Sequence, residues 1–146
     1  MRNHVYKSGL SGLLLAALAA FSIFTIVGAE ISPAYAEDKC TATNNSEFAT
    51  HIAHGHAFTK HSSEFVEGVV IGGLAFPGPT IENADAFATF LAGILDNPSA
   101  NKALSASRHG YWDAATGTVI ITNPKPDDCG TAFRPTAGKS YYDNLT

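Results

Sequence analysis

The chain has little of what most catalytic and binding signatures require. Its 146 residues include two cysteines, one methionine and one tryptophan, and charged side chains make up only 15%. No CxxC pair occurs, which removes the dithiol redox motif, and zinc-finger spacing is absent. HExxH, GxSxG, GxxxxGK[ST] and the EF-hand loop are missing as well, so zincin, α/β-hydrolase, P-loop and calcium-loop chemistries lack their signatures. There is no internal repeat and no low-complexity tract. Basic residues are scarce: nine against thirteen acidic, a formal charge of −4. A protein that clamps nucleic acid along a broad face must neutralise many phosphates, and this composition excludes that class. A local site for one or two phosphates remains open.

What is present begins with an apolar N-terminus. Residues 8–28 carry no charge, whereas Arg2 and Lys7 precede them and Ala34-Tyr35-Ala36 follows. A basic n-region, an apolar h-region and a small-residue cleavage site form the order of a secretory signal peptide, with the cut expected after Ala36. The alternative is an uncleaved anchor, since the run approaches the roughly 20 residues that span a bilayer. Pro33 and the A-x-A site favour cleavage. The exported chain, secreted or periplasmic, would keep 110 residues and no stable membrane association. Loss of Arg2, Lys7 and Glu30 would leave seven basic and twelve acidic side chains, a charge of −5.

Residues 37–46 read as an extended polar lead-in, and residues 47–146 as one domain. Both cysteines fall in this exported part. Oxidising compartments preserve disulfides, so Cys40 and Cys129 are expected to pair, with two free thiols as the alternative. The chain-entropy model gives a bond closing so long a loop about 4–5 kcal/mol as an upper figure.

Ser46 is positioned to cap a helix over about 47–61, with Phe48, Ile52 and His56 on one stripe and Gly55 as a soft spot. Residues 64–79, rich in glycine and valine, suit a loop carrying a short strand. Thr80 is placed to cap a second helix ending at Asp96-Asn97-Pro98, and Ser99 a short one through Leu104. From Ser107 the pattern changes. Residues 108–113 and 118–122 are aromatic and β-branched, joined by a turn with Gly117 available for positive φ. A second turn, 123–130, leads to a third strand at 131–134, with 141–145 as a closing segment. Helices followed by an antiparallel meander predict an α+β fold, N-terminal helices packed on a small antiparallel sheet.

His51, His54, His56 and His61 form the densest titratable cluster. Histidine is the commonest metal ligand, but only His51 and His54 share a helix face and no cysteine is near. His56 and Lys60 are one turn apart, and His61 adjoins Lys60, so an imidazole and an ammonium can face one cleft. Phosphoryl transfer with a 2′-hydroxyl nucleophile needs this combination: imidazole as general base or acid, cations to hold phosphate and its developing charge. Arg108 and His109 open the first strand of the meander, and Thr131 and Arg134 belong to the third, so Arg108 and Thr131 can share a sheet surface. Each also has a bland reading, as a solvated cation or a strand former. Tyr111, Trp112, Phe133, Tyr141 and Tyr142 read as core before base-stacking surface, and Asp127-Asp128 as turn chemistry.

Three blocks stand in order: His56-Ala-Phe-Thr-Lys60-His61-x-x-Glu64-Phe65, Arg108-x-x-Tyr-Trp-Asp-x-x-Thr-Gly-Thr (108–118), and Gly130-Thr131-Ala-Phe-Arg134-Pro135-x-x-Gly138-x-x-Tyr141. Together they resemble a family of C-terminal toxin domains from bacterial polymorphic and contact-dependent growth-inhibition toxins. Those domains are similar to the barnase–EndoU–colicin–RelE (BECR) group of RNases, and the resemblance covers roughly residues 47–145. It implies metal-independent cleavage of RNA, often tRNA, through a 2′,3′-cyclic phosphate, with no cofactor. By matching position it makes His61 the general acid/base, Lys60 and Arg108 phosphate-binding cations, Thr131 an active-site hydroxyl and His56 a second titrating group. His109, Arg134 and Lys139 become candidates for substrate contact. A cognate immunity protein is the implied partner. Two alternatives stand beside this reading: a non-catalytic secreted protein-binding domain, and a metal-dependent hydrolase using the histidine cluster.

Overall fold

The structure, a computed structural model, describes residues 38–146; the expected signal segment and its cut after Ala36 lie outside the described residues. Helix α1, Asn45–Ile52, is capped not by Ser46 but by Asn44, whose extended backbone lets its side chain accept the Glu47 N–H. Glu47 in turn accepts the Thr43 N–H at 2.7 Å and the Thr43 hydroxyl at 2.9 Å. These bonds favour the ionised form and hold the Glu47 carboxyl below its ordinary range.

The helix expected over 47–61 is broken at its soft spot. A π turn, Ala53–Ala57, interrupts it, with Gly55 at ψ −116°. Helix α2, Phe58–His61, resumes the course and ends in a 3-10 turn, Ser62–Phe65. The glycine-rich stretch folds as a small hairpin of β1, Val70–Ile71, and β2, Leu74–Ala75. Helix α3, Ala84–Asp96, starts later than expected because Asn83, not Thr80, caps it by accepting the Ala86 N–H. The Thr80 hydroxyl accepts the Glu67 N–H instead.

Four antiparallel strands follow in the order β3-β4-β5-β6. Strand β3, Ala100–Ala103, occupies the stretch expected as a short helix. The edge of β4, His109–Asp113, offers it a ladder from Ala100↔Trp112 to Ala103↔His109, and tertiary pairing overrides a weak local preference. Ser99, expected as a helix cap, accepts the Ala114 N–H. The hairpin of β4 and β5, Thr118–Thr122, forms as predicted, with Gly117 at φ +70° in its turn. Strand β6, Gly130–Phe133, completes the meander, and the closing segment is helix α4, Lys139–Asp143.

The fold is thus α+β, with apolar clusters on both faces of the sheet. Ile120 and Ala132 pack against Ile52, Phe87 and Leu91 from the helices, around a Phe65–Phe87 pair 4.7 Å apart. Val119 and Ile121 point the other way, toward Trp112, Leu104 and Tyr142. Alternate side chains of a strand face opposite sides, so β5 is buried throughout. A disulfide joins Cys40 to Cys129, and the adjoining backbone adds bonds from Lys39 N–H and Cys40 N–H to the carbonyls of Lys125 and Pro124. No helix among the described residues is long and apolar enough to cross a membrane.

Candidate active site

A cleft of about 570 Å³ opens between α2 and the sheet, within the usual range for small-ligand sites. His56, Lys60 and His61 line it from the helical side, and Arg108 and Thr131 from the sheet. Ile121, Thr131 and Phe133 lie on one sheet face by strand alternation and register, which places the cleft on the Trp112 side.

His61 is the better sheltered imidazole, its side chain 16% exposed. Its Nδ1 bonds Glu64 Oε1 at 2.7 Å, and its ring lies 5.5 Å from that of Phe133. The 3-10 turn makes this pair possible, bringing position i+3 back beneath the imidazole. Glu64 is itself fixed, because Oε2 accepts the Arg134 backbone N–H at 2.6 Å. A carboxylate on Nδ1 orients an imidazole and commits its other nitrogen, Nε2, to outside chemistry.

His56 is supported in the same way by a residue from far along the chain. Its Nδ1 meets Asp128 Oδ2 at 2.5 Å, while Asp128 Oδ1 accepts the Gly130 N–H at 3.3 Å. The turn reading of Asp128 is therefore half of its role. Gly55 lets the loop approach: a Cβ built there would stand 2.5 Å from Asp128 Cβ.

Arg108 enters the cleft from the β3–β4 connection, where Ala106 and Ser107 both adopt φ +59°. Consecutive positive-φ residues match the twist of a two-residue hairpin turn, here at a cost usually avoided with Asn-Gly. The Arg108 guanidinium donates to the Ser105 carbonyl at 3.1 Å, the Ser105 hydroxyl at 2.9 Å and Thr146 O at 2.8 Å.

Three sequence candidates fall elsewhere. Arg134 is 3% exposed, and its guanidinium donates to four backbone carbonyls: Thr116, Glu64, Val69 and Leu74, at 2.7–3.0 Å. Burial lowers its pKa, and the Glu64 carboxylate partly offsets that. Lys139 pairs with Asp143 on α4 at 2.6 Å. His109 bonds Asn101 across the β3–β4 ladder at 3.1 Å. None of the three lines the cleft.

Of the remaining histidines, His51 and His54 lie outside this cleft, in a neighbouring depression beside Gly55, and His54 bonds Asp85 at 2.7 Å on the α3 side. Among the described residues no group of three or more His, Cys, Asp or Glu side chains could hold a metal ion. Of the aromatic set, Trp112 and Tyr142 are core, Phe133 is a half-buried cleft wall and Tyr141 is 38% exposed. Sequence reasoning missed the two carboxylates. Glu64 carried a usable signal, standing three residues after a histidine at a helix end; Asp128, 72 residues from His56, carried none.

Comparison of the chain with protein-family models, with curated proteins and with solved structures finds no match. The cleft's own chemistry is what bears on function.

Proposed function

We propose that the chain is an exported, toxin-like endoribonuclease of the BECR type, cleaving RNA without metal through a 2′,3′-cyclic phosphate. The observation that carries this reading is one cleft holding two imidazoles, each oriented by a carboxylate, beside two cations and a hydroxyl. Transesterification of RNA needs a base to take the 2′-hydroxyl proton and an acid to protonate the departing 5′-oxygen. His61 and His56 can divide those tasks through their free ring nitrogens. Lys60 and Arg108 would hold the phosphate and stabilise charge on its non-bridging oxygens, with the Thr131 hydroxyl donating to one of them.

A charge of −5 for residues 37–146 limits the protein to a local grip on RNA. A folded substrate such as tRNA, presenting one strand to the cleft, fits that limit better than long duplex. The disulfide suits a chain that lives outside the cytoplasm. An immunity protein that plugs the cleft would be its natural partner, recognised by shape as much as charge.

The deciding experiment incubates the oxidised protein with total tRNA in EDTA. Discrete fragments ending in cyclic phosphate are expected, and both His61→Ala and Arg108→Ala should abolish them with the fold retained. RNA left intact, with and without zinc or magnesium, would overturn the reading in favour of a protein-binding role.

A further inference from the structure

The β5–β6 loop, residues 123–129, supplies one wall of the cleft and the carboxylate that orients His56. Between its strand ends the loop is fastened to other segments by the Asp128–His56 bond, by Lys39 and Cys40 N–H groups donating to the Lys125 and Pro124 carbonyls, and by the disulfide. All but the first run through the Lys39–Cys40 segment. Cys129 sits directly between Asp128 and Gly130 and adopts φ +59°, a conformation that residues with a side chain hold under constraint. Relaxation at Cys129 would therefore swing the neighbouring Asp128.

We propose that the Cys40–Cys129 bond is a redox switch on the cleft: the oxidised chain is competent, and reduction by a dithiol releases the loop so that Asp128 no longer orients His56. Cys129 is fully buried whereas Cys40 is half-buried, so attack is directed to the Cys40 sulfur. A reductant thiolate forms a mixed disulfide there and expels Cys129 as thiolate, which takes a proton from water. The reductant's second thiol, as thiolate, then closes on its own bound sulfur, and Cys40 departs as thiolate and is protonated. Two electrons pass to the protein and the dithiol leaves as its cyclic disulfide. The helices, the β4–β5 hairpin and the His61–Glu64 pair have no covalent stake in the bond. His56 is the group that reports it.

This switch rests on the ribonuclease reading for its activity readout and on the imidazole signals for its structural one. The test compares the purified protein oxidised, reduced with dithiothreitol, and as Cys40→Ser, following the His56 and His61 ring nitrogens and the β4–β5 amides by NMR alongside tRNA cleavage. Reduction and Cys40→Ser are both expected to shift His56, spare His61 and the hairpin amides, and lower cleavage about 10–100-fold; reoxidation should restore the reduced protein and leave Cys40→Ser unchanged. Asp128→Ala in the oxidised protein should reproduce the His56 change. His56 signals that ignore reduction would overturn the switch. Loss of the hairpin amides would overturn it too, because the bond would then hold the whole domain and not the loop. If the oxidised protein leaves RNA intact, the ribonuclease reading fails while the His56 signals still decide the switch.

Discussion

Glu64 and His61 form a 2.7 Å pair that is anchored from behind, since the second Glu64 oxygen accepts the Arg134 backbone N–H at 2.6 Å. The carboxylate thus has two acceptor duties, and an amide can perform only one. Glu64→Gln would keep the Arg134 bond and present its NH2 to His61, forcing the wrong tautomer. We expect cleavage to fall about 10–100-fold with little change in melting temperature. Glu64→Ala should add a loss of about 1–3 kcal/mol, because the Arg134 N–H is then left without a partner. Kinetics and denaturant unfolding on both variants separate the two duties.

Arg134 reads in the sequence as a cation facing substrate, and its surroundings make it an internal clamp. Four carbonyls from the 3-10 turn, the small hairpin and the β4–β5 turn converge on its guanidinium. Arg134→Ala should cost about 3–5 kcal/mol in urea unfolding, as removal of a buried charged partner does. Arg134→Lys should recover only part of it, because an ammonium cannot reach four acceptors in a planar fork. A weakened KM with undiminished stability would contradict the clamp.

Gly55 gives a prediction of sign. Glycine inside a helix is ordinarily about 1 kcal/mol worse than alanine, so Gly55→Ala on an isolated helix would stabilise. Here the new Cβ would meet Asp128 Cβ at 2.5 Å. Gly55→Ala should destabilise the domain and lower cleavage together, because the loop must retreat and take Asp128 from His56. A gain in melting temperature would show that the loop moves without cost.

Alkaline stability follows from the tyrosines. Burial raises the pKa of both Tyr111 and Tyr142; the Thr122 hydroxyl opposes the shift at the first, and nearby Lys139 opposes it at the second. The folded state therefore keeps these protons at pH values where the unfolded chain has lost them. Their contribution is fully present below about pH 10, the ordinary tyrosine value, and is lost as pH rises through the folded values. Urea unfolding from pH 8 to 11 should show that decline, and Tyr142→Phe should flatten it. A slope unchanged in the variant would remove Tyr142 from the account.

The α+β class, the central hairpin and the disulfide were all readable in the sequence, because their signals are compositional: aromatic and β-branched runs on either side of Gly117, and two cysteines with no third to compete. The helix caps and β3 were not. Ser46, Thr80 and Ser99 each had the right chemistry for a cap, and in each case a better-placed acceptor or a strand edge took the position. The site divides along the same line. Neighbours in sequence, His56, Lys60 and His61, reach the cleft together, whereas the His56–Asp128 bond depends on where a distant loop lands. Arg134 illustrates a related reason: a charge shows in the sequence, and the four carbonyls that enclose it do not.

On the ribonuclease reading, the cleft's few cations set how RNA binding should respond to salt. Lys60 and Arg108 line it within a segment, residues 37–146, of net charge −5, so few phosphates would be neutralised on binding. Two contacts on a single strand give a slope of log K against log salt of about −1.4, from roughly −0.7 per contact. A nuclease that grips a broad duplex face shows a several-fold steeper line. Lys60→Gln and Arg108→Gln should each flatten the slope by about 0.7. A titration of catalytically impaired His61→Ala with a short oligoribonucleotide, from 50 to 300 mM salt, measures this directly. A steep slope that survives both substitutions would mean that RNA is held by some other surface, and that the cleft does not carry the substrate phosphate.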